Sequence, residues 1–383
     1  MNLELSEEQE AVRELAEDFV AREITPHVVA WDRAESVDKS IVKKLGALGF
    51  LGLTIPEEYG GSGGDHLAYC LVTEELGRGD SSVRGIVSVS LGLVAKTIAS
   101  WGDEEQKRRW LPRLTAGEAV GCFALTEPGT GSDAGNLSTR AVRDGDDYVI
   151  NGSKMFITNG TWADVVLLFA RTGDAPGHRG VSAFLVPADT PGLTRRTVHG
   201  KLGLRGQATA ELVLEDVRVP AATLLGPEGK GFSLAMSALA KGRMSVAAGC
   251  VGIAQAALDA AVRYAGEREQ FGQPIAGYQL VQELISDISV DVDAARMLTW
   301  RVADLVDRGQ DFATAASTAK LFASEAAVRA ANNALQVFGG YGYIDEYPVG
   351  KLVRDARVMT LYEGTSQIQK LIIGRALTGV SAF

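Results

Sequence analysis

The feature that most constrains the fold is a change of periodicity in the middle of the chain. Residues 6 to about 121 and residues 227 to 383 carry apolar residues at helical spacing. Between them, from about 122 to 220, short apolar runs alternate with turn signals and no helix intervenes. Short strands of this kind favour an antiparallel sheet or small barrel, and long helices with short connections favour a bundle. The sequence therefore predicts a mainly α protein with a central β domain.

The same pattern predicts three domains: an N-terminal helical domain over 1–121, a middle β domain over 122–226 and a C-terminal helical bundle over 227–383. Ser6 and Gln9 have the spacing of a capping box that begins the first helix. The segment from Tyr148 to Ile157 predicts a hairpin around Asn151-Gly152. The bundle helices are predicted over four runs: 232–267, 278–307, 312–338 and 351–373.

Composition excludes several classes of function. The 383 residues carry a formal net charge of -10, so no nucleic-acid partner is expected. The first ten residues lack the order of a secretory signal, and no window is apolar enough to predict a membrane span. The scattered cysteines and histidines give no disulfide framework, metal site or Ser-His-Asp triad, and a reducing cytoplasm is the expected location. They are Cys70, Cys122, Cys250, His27, His66, His178 and His199.

A glycine- and hydroxyl-rich segment, Phe123 to Asp133, lies where the helical pattern changes to the β pattern. Gly129, Gly131 and Ala134 formally satisfy the dinucleotide fingerprint, but no βαβ unit surrounds them. The segment is better interpreted as a loop whose backbone N–H groups meet a polar ring edge or a phosphate. An ordinary glycine-rich turn explains the segment by itself about equally well.

Three further segments are candidate binding elements. Phe156 and Thr158, two residues apart at a predicted strand end, would share a face that stacks on a flat ring, although a half-buried edge strand is the simpler explanation. Arg243 suits a phosphate or ribose unless it is only solvated. Arg268 could hold a pyrophosphate, or simply favour a helix C-terminus. The run 336–342 predicts a helix end and a glycine-rich turn.

Glu363, within the segment Tyr362 to Gln367, is the candidate catalytic carboxylate. The adjacent Gly364 permits close approach of a substrate to the backbone. Thr365 and Gln367 add hydrogen-bonding groups. By itself, however, the segment could equally be an exposed helix end.

Together and in this order, these motifs resemble the acyl-CoA dehydrogenase family of flavoenzymes over essentially the whole chain. The resemblance implies FAD bound between the β domain and the C-terminal bundle, which is a four-helix bundle in that family. Residues that match FAD contacts are Phe123, Leu125, Thr126, Ser132, Phe156, Thr158, Thr365 and Gln367. A second set matches residues that contact the FAD of a neighbouring subunit: Arg268, Phe271, Gln279, Gln336, Val337, Gly339 and Gly340. A homotetramer built as a dimer of dimers is therefore implied.

The resemblance also implies the reaction. Glu363 matches the base that removes the α proton of an acyl-CoA while hydride leaves the β carbon for the flavin. Ser132, Arg243 and Gly364 match substrate contacts. Some members carry the base just before the matched arginine, but that position is Gly242 here, which strengthens the assignment to Glu363. The implied product is the trans-2-enoyl-CoA of fatty acid metabolism, with electrons passing to an electron-transfer flavoprotein.

The acyl group is less constrained. Gly242 is like short-chain, butyryl-type members, whereas the stretch from Asp80 to Ser90 and the C-terminal segment 374–380 resemble glutaryl-CoA dehydrogenases. Arg84 matches the arginine that binds a distal substrate carboxylate there, although Gly77 stands where that subfamily commonly has glutamate. Otherwise Arg84 is a surface or loop cation. A carrier-protein thioester as substrate, and a flavin monooxygenase or oxidase on the same fold, are further alternatives.

Overall fold

The N-terminal helical domain begins at the predicted capping box. In the computed structural model, which describes residues 4–174 and 177–382, the Ser6 side chain accepts from Gln9 N and the Gln9 side chain accepts from Ser6 N. Helical segments with π geometry cover Val20–Ile24 and Ser88–Ala95. The α-helices of this part are α1 (Glu7–Phe19), α2 (Val28–Ala34), α3 (Ile41–Ala47), α4 (His66–Gly79), α5 (Ser81–Val87), α6 (Lys96–Trp101) and α7 (Glu104–Thr115).

The middle of the chain forms one eight-stranded sheet. Its strands run in the spatial order β6-β7-β3-β2-β4-β5-β8, and β1 pairs with β4. Most pairs are antiparallel, but β1 and β4 are parallel, as is the single residue pair joining β2 to β4. The strands are β1 (Gly121–Ala124), β2 (Arg140–Asp144), β3 (Asp147–Ile157), β4 (Val165–Arg171), β5 (Val181–Pro187), β6 (Leu193–Thr197), β7 (Ala210–Pro220) and β8 (Leu224–Leu225).

The predicted hairpin at Asn151-Gly152 is wrong. Strand β3 continues through both residues, and the turn to β2 lies earlier, between Asp144 and Asp147. Asn151 instead exchanges two hydrogen bonds with Asp216 on β7, at 3.0 and 2.8 Å. The register shifts at this point, which is the signature of a bulge rather than a turn.

The C-terminal part is a helical bundle. Helices α8, α9 and α10 pack side by side, and α11 and α12 pack against α10. The prediction of one helix over 351–373 is wrong, because the chain breaks between Met359 and Ser366. The elements are α8 (Gly231–Glu267), a short β9–β10 hairpin (Glu269–Gln270 and Gln273–Pro274), α9 (Gln279–Asp307), α10 (Ala313–Phe338), α11 (Val349–Met359) and α12 (Ser366–Thr378).

Strand β4 shows how the sheet joins the helices. Val165, Leu167 and Phe169 pack into the large apolar core shared by the helices of both helical domains. The alternate residues Val166 and Leu168 pack into a second core within the β domain. A strand buried on both faces must be apolar throughout, which explains its unbroken apolar sequence. The expected helical–β–helical architecture is confirmed.

Two helical stretches correct the expectation that no window is apolar enough to span a membrane. Ser81–Trp101 and Gly231–Glu267 qualify by length and composition. However, 94% and 72% of their most apolar windows are buried inside the protein. Because core helices pass the same test, these stretches are weak evidence for a span.

Candidate active site

Glu363 lies in the loop that joins α11 to α12. Its backbone φ is 50°, in the left-handed region that non-glycine residues seldom adopt, and Gly364 follows with φ 93°. Thr365 then caps α12, since its side-chain oxygen accepts a hydrogen bond from Ile368 N at 3.2 Å. The chain therefore turns sharply at Glu363 instead of continuing the helix.

The Glu363 carboxylate is held in a water-poor environment. Its Oε2 is buried and has no hydrogen-bond partner among the described residues. Burial raises the pKa of this carboxyl group to about 7, while the nearby cations of Arg84, Lys320 and Arg243 oppose the rise. A carboxylate with a pKa near neutrality is suited to accept a proton from a carbon acid.

Helix α8 leaves room for this carboxylate at Gly242. A Cβ built on Gly242 would lie 2.2 Å from Glu363 Oε2 and 2.9 Å from Leu93 Cδ2. No larger residue fits there without displacing the carboxylate. In the resembled family some members carry the base at the position of Gly242, whereas here Gly242 packs against the Glu363 carboxylate.

Arg84 is buried rather than a surface cation, so that alternative is wrong. Its side chain is 1% exposed; Nη1 donates to Ser88 Oγ at 2.8 Å and Nη2 to Tyr362 Oη at 2.5 Å. Ser88 Oγ lies 2.6 Å from Ser245 Oγ. The guanidinium needs the glycine at position 249, where a Cβ would lie 2.2 Å from Arg84 Cδ. Arg84 is thus fixed beside the residue that precedes Glu363.

Arg243 is also buried, which rules out the solvated alternative. It is 8% exposed, and Nη1 donates weakly to Ser317 Oγ at 3.4 Å. Its Nε has no hydrogen-bond partner among the residues that the structure describes. Arg243 therefore offers a buried, incompletely bonded donor close to the Glu363 carboxylate.

Two residues of this site were missed from the sequence. Lys320 Nζ donates to the carbonyl oxygen of Gly364 at 2.9 Å. Gln369 Nε2 donates to the carbonyl oxygens of Glu363 at 3.1 Å and Gly364 at 3.0 Å. Both side chains are fully buried. The available signal was helical phase, because Lys320 lies four residues after the buried Ala316 on the same stripe of α10.

The loop after β1 has backbone N–H groups that face open space. A Cβ on Gly129 or Gly131 would meet nothing within 4 Å. The backbone N–H groups of Gly131 and Ser132 make no hydrogen bond within the described ranges, and Ser132 is exposed. The Phe123 and Phe169 rings pack together, with 4.8 Å between their centroids. The predicted N–H-lined loop is therefore available to a ligand.

A buried ion pair, also missed from the sequence, fixes this loop. Glu127 accepts hydrogen bonds from the backbone and side chains of Ser138 and Thr139, and from Lys154 Nζ at 2.8 Å. Lys154 also donates to the carbonyl oxygen of Leu125 at 3.1 Å. Burial alone would raise the pKa of Glu127, but Lys154 and the hydroxyl donors lower it to about 2. Leu125 itself is buried and Thr126 half-buried.

The idea that Phe156 and Thr158 share a strand face is wrong. Phe156 has φ 60° at a register irregularity, and β3 ends at Ile157. Its ring is 63% exposed, so it remains available for stacking. Thr158 Oγ1 donates to Gln207 Oε1 at 3.3 Å, and Gln207 packs over Gly85, where a Cβ would lie 2.0 Å from its Nε2. The missed Gln207 thus connects this strand end to the helix that carries Arg84.

The structure brings together only part of the second predicted set of contacts. Arg268 is stacked over the Tyr341 ring at 5.5 Å, and an open groove of ≈ 570 Å³ is lined by Arg268, Val337, Gly339 and Gly340. Phe271 is 95% exposed. Gln279 and Gln336 are exposed, and neither lines this groove. Gln367, the remaining predicted contact, is exposed on α12.

The donor set fits the FAD that the sequence implies. Unbonded N–H groups at Gly131 and Ser132 suit the polar edge of a ring or a phosphate. The exposed Phe156 ring supplies a stacking surface, and Arg268 can engage a pyrophosphate. These features come from different domains, and each is open to a ligand.

Comparison with known proteins agrees with this geometry. Three family models match: the acyl-CoA dehydrogenase N-terminal domain over 6–118, the middle domain over 122–217 and the C-terminal domain over 229–378. The probable acyl-CoA dehydrogenase YngJ of Bacillus subtilis is 49% identical, covering 98% of this chain and 100% of its own. The mitochondrial short-chain specific acyl-CoA dehydrogenase of Homo sapiens is 44% identical, covering 97% and 90%.

Comparison with solved structures also shows similarity to acyl-CoA dehydrogenases. Butyryl-CoA dehydrogenase from Megasphaera elsdenii superposes with a TM-score of 0.96 at 41% identity, covering 98% of this chain and 100% of its own. The chain therefore belongs to the acyl-CoA dehydrogenase family of FAD-dependent flavoproteins and is an oxidoreductase that dehydrogenates acyl-CoA.

Proposed function

We propose that the substrate is a short-chain acyl-CoA, that the product is the trans-2-enoyl-CoA, and that Glu363 is the base that removes the α proton. The observation that carries the proposal is the buried, unbonded Oε2 of Glu363 beside Gly242. Its raised pKa, about 7, makes it a far stronger base than a solvated carboxylate. The similarity to short-chain and butyryl-CoA enzymes supports the chain length.

The loop that carries Glu363 also offers a donor for the developing enolate. The backbone N–H of Glu363 makes no hydrogen bond to any described residue. A donor directed at a thioester carbonyl stabilises the charge that builds there as the α proton leaves. The proposed base would therefore hold the substrate carbonyl through its backbone and accept the proton through its side chain.

The cofactor would be held by both domains. Ser132, Thr126 and Thr158 are the proposed hydrogen-bonding contacts on the β side, and Phe156 is the proposed stacking surface. Thr365 and Gln367 are the proposed contacts on the bundle side. When bound, FAD supplies the acceptor for the hydride that leaves the β carbon.

We further propose that the enzyme is a homotetramer in the cytoplasm and that an electron-transfer flavoprotein takes up its electrons. Exposed apolar side chains in the C-terminal part of the chain support self-association: Phe271, Leu280 and Tyr343 are 95%, 74% and 87% exposed. Phe271 lies three residues after Arg268 in the chain, and the resemblance matches both to contacts with the FAD of a neighbouring subunit. The buried, unpaired Cys70, Cys122 and Cys250 are compatible with a reducing compartment.

A second candidate, a dicarboxylic acyl-CoA, is favoured by Arg84. Its guanidinium is buried, forms no ion pair with any described carboxylate, and retains an unbonded Nε. Taking a cation out of water without an anion is costly, and a distal substrate carboxylate would relieve that cost. Activity on butyryl-CoA with none on glutaryl-CoA, unchanged by Arg84→Ala, would rule this candidate out.

The decisive experiment is an anaerobic titration of flavin absorbance with a panel of thioesters. Butyryl-CoA should bleach the flavin most efficiently, and a carrier-protein butyryl thioester should react poorly. Preference for glutaryl-CoA, or for the carrier-protein thioester, would contradict the proposed substrate. Rapid reoxidation of the reduced enzyme by oxygen would instead favour a monooxygenase or oxidase on this fold.

A further inference from the structure

The turn at Glu363 depends on side chains outside the loop. Residues 363 and 364 are both left-handed, which costs free energy at Glu363 because that residue has a Cβ. Three hydrogen bonds hold their carbonyl groups: two come from Gln369 and one from Lys320 Nζ. Gln369 lies a few residues along the chain, whereas Lys320 reaches the turn from a different helix, α10.

We propose that Lys320 is a positioning residue for the catalytic base: it fixes the Gly364 carbonyl and, as a buried cation, favours the ionised form of the Glu363 carboxylate. The inference rests on the proposed role of Glu363. It assigns a function to a residue that contacts the loop but that no motif singles out.

The surroundings of Lys320 point to an electrostatic role. Its side chain is fully buried, yet Nζ donates to the carbonyl oxygen of Gly364 and forms no ion pair with any described carboxylate. Glu325, a carboxylate on the same helix, accepts a hydrogen bond from Ser366 Oγ at 2.5 Å. Burial of a lysine without a paired carboxylate costs free energy of desolvation. An apolar residue at this position of α10 would therefore give a more stable protein if Lys320 had only a structural role.

The charges around Glu363 determine in which direction Lys320 shifts the pKa of this carboxyl group. Burial lowers the pKa of Lys320 to about 8, so at pH 7 most molecules carry the ammonium ion. That cation opposes the burial-driven rise in the pKa of Glu363. The charged or titratable groups that face the carboxylate from the neighbouring elements are Arg84, Arg243, Lys320, Tyr69 and Tyr362. Those that face Lys320 are Cys250 on α8, Glu363, Arg243 and Glu325.

Loss of the cation should therefore raise the pKa of Glu363. The base must be ionised to act, so the acid limb of the kcat/KM profile should move to higher pH. The alkaline side should change little, because Glu363 is already ionised when Lys320 loses its proton. Loss of the hydrogen bond, by contrast, should lower the rate at every pH.

Two variants separate these contributions in the FAD-loaded enzyme. Lys320→Gln removes the charge and keeps a donor, whereas Lys320→Met removes both. With butyryl-CoA, both should raise the midpoint of the acid limb by about one pH unit. Lys320→Met should also lower the plateau rate of anaerobic flavin bleaching by about tenfold to a hundredfold, because the base is misplaced. Binding of crotonyl-CoA, followed by flavin absorbance, should change far less than the rate.

Lys351→Met is the matched control. Lys351 is a largely buried lysine on α11, with its side chain 12% exposed, and its partners are Asp355 at 2.5 Å and Asp80 at 3.3 Å. Its loss should lower the thermal midpoint and leave the pH midpoint of kcat/KM in place. A shift of the pH midpoint in this control equal to that of Lys320→Gln would contradict a specific role for Lys320.

An unchanged pH midpoint in Lys320→Gln overturns the electrostatic part of the inference. An unchanged plateau in Lys320→Met overturns the positioning part, and if that variant does not fold, the midpoint of Lys320→Gln decides the inference. Glu363→Gln distinguishes failure of the proposed function: if it still bleaches, the base is elsewhere. If it is inactive while both Lys320 variants match wild type, only the inference about Lys320 fails.

Discussion

At the scale of single residues, the active centre depends on two positions: the carboxylate of Glu363 and the lack of a side chain at Gly242. Glu363 supplies the carboxylate, and Gly242 supplies the space in which it is buried. Burial is the cause of the raised pKa, so the two positions act together. A residue on α8 thus sets the basicity of a residue in a loop more than a hundred positions later.

Gly242→Ala should therefore impair proton abstraction. The new Cβ would lie 2.2 Å from Oε2, so the carboxylate must move. A displacement of this kind is expected to lower the rate of flavin bleaching by about a hundredfold. Gly266→Ala on the same helix is the control, because a Cβ there meets nothing within 4 Å. Equal rates in the two variants would show that the space at Gly242 is not required.

The residues of the site differ in how far the sequence could predict them. Glu363 could be predicted because it lies in a dense local motif. Helical phase places Lys320 on the buried stripe of α10, but nothing in the local sequence indicates that Lys320 or Gln369 contacts the turn at Glu363. Their role arises only when α10 and α12 pack around the turn, which brings residues 44 positions apart into hydrogen-bond contact.

At the scale of elements, the loop after β1 is the part most dependent on one buried contact. Lys154 on β3 reaches both Glu127 and the Leu125 carbonyl. These contacts hold Leu125 and Glu127 against β3, whereas Gly129 and Gly131 have no neighbouring atom within 4 Å of a Cβ built on them. The proposed cofactor contacts at Thr126 and Ser132 flank the anchored residue.

Lys154→Met should destabilise the protein by about 3 to 5 kcal/mol, because it leaves the Glu127 carboxylate buried without its cation. Chemical denaturation of the purified enzyme measures the loss. The double variant Glu127→Gln/Lys154→Met should lose less, since neither charge remains. A double variant as unstable as the single one would argue against the unpaired charge as the cause.

Element types could be predicted better than element ends. Helical and strand periodicities gave the order of segments, whereas two breaks were misplaced. Asn151-Gly152 has the composition of a hairpin turn but forms a bulge, because Asn151 bonds to Asp216 on a strand far along the chain. The break before α12 was missed because apolar residues resume at helical spacing after it; α11 ends at Met359, and the left-handed Glu363 and Gly364 follow before α12 begins.

At the scale of the whole molecule, one apolar core joins the two helical domains and accepts one face of the sheet. Further polar contacts join the domains: Asp355 on α11 accepts from Leu204 N at 2.7 Å, and Arg354 Nη2 donates to Asp32 at 2.6 Å. The site is assembled from all three parts of the chain. Sequence motifs could predict some of its members, such as Glu363 and Arg243, but neither Lys320 and Gln369 nor these contacts between domains.

Phe271→Asp tests the proposed assembly. The ring is 95% exposed, and a charge there should oppose its burial between subunits. Light scattering should show a shift from tetramer to smaller species, with weaker FAD retention. Val142→Asp is the control, because Val142 is 60% exposed and lies on β2 in the β domain rather than in the bundle. An unchanged mass in Phe271→Asp would contradict the proposed interface.

The central claim is that Glu363 takes the α proton, and Glu363→Gln tests it most directly. The amide preserves size and removes the base, so the variant should retain bound FAD and bind butyryl-CoA. In anaerobic stopped-flow mixing with butyryl-CoA, flavin bleaching should fall by at least about a thousandfold from the wild-type rate. Bleaching at a near-normal rate would contradict the account and place the base on another residue.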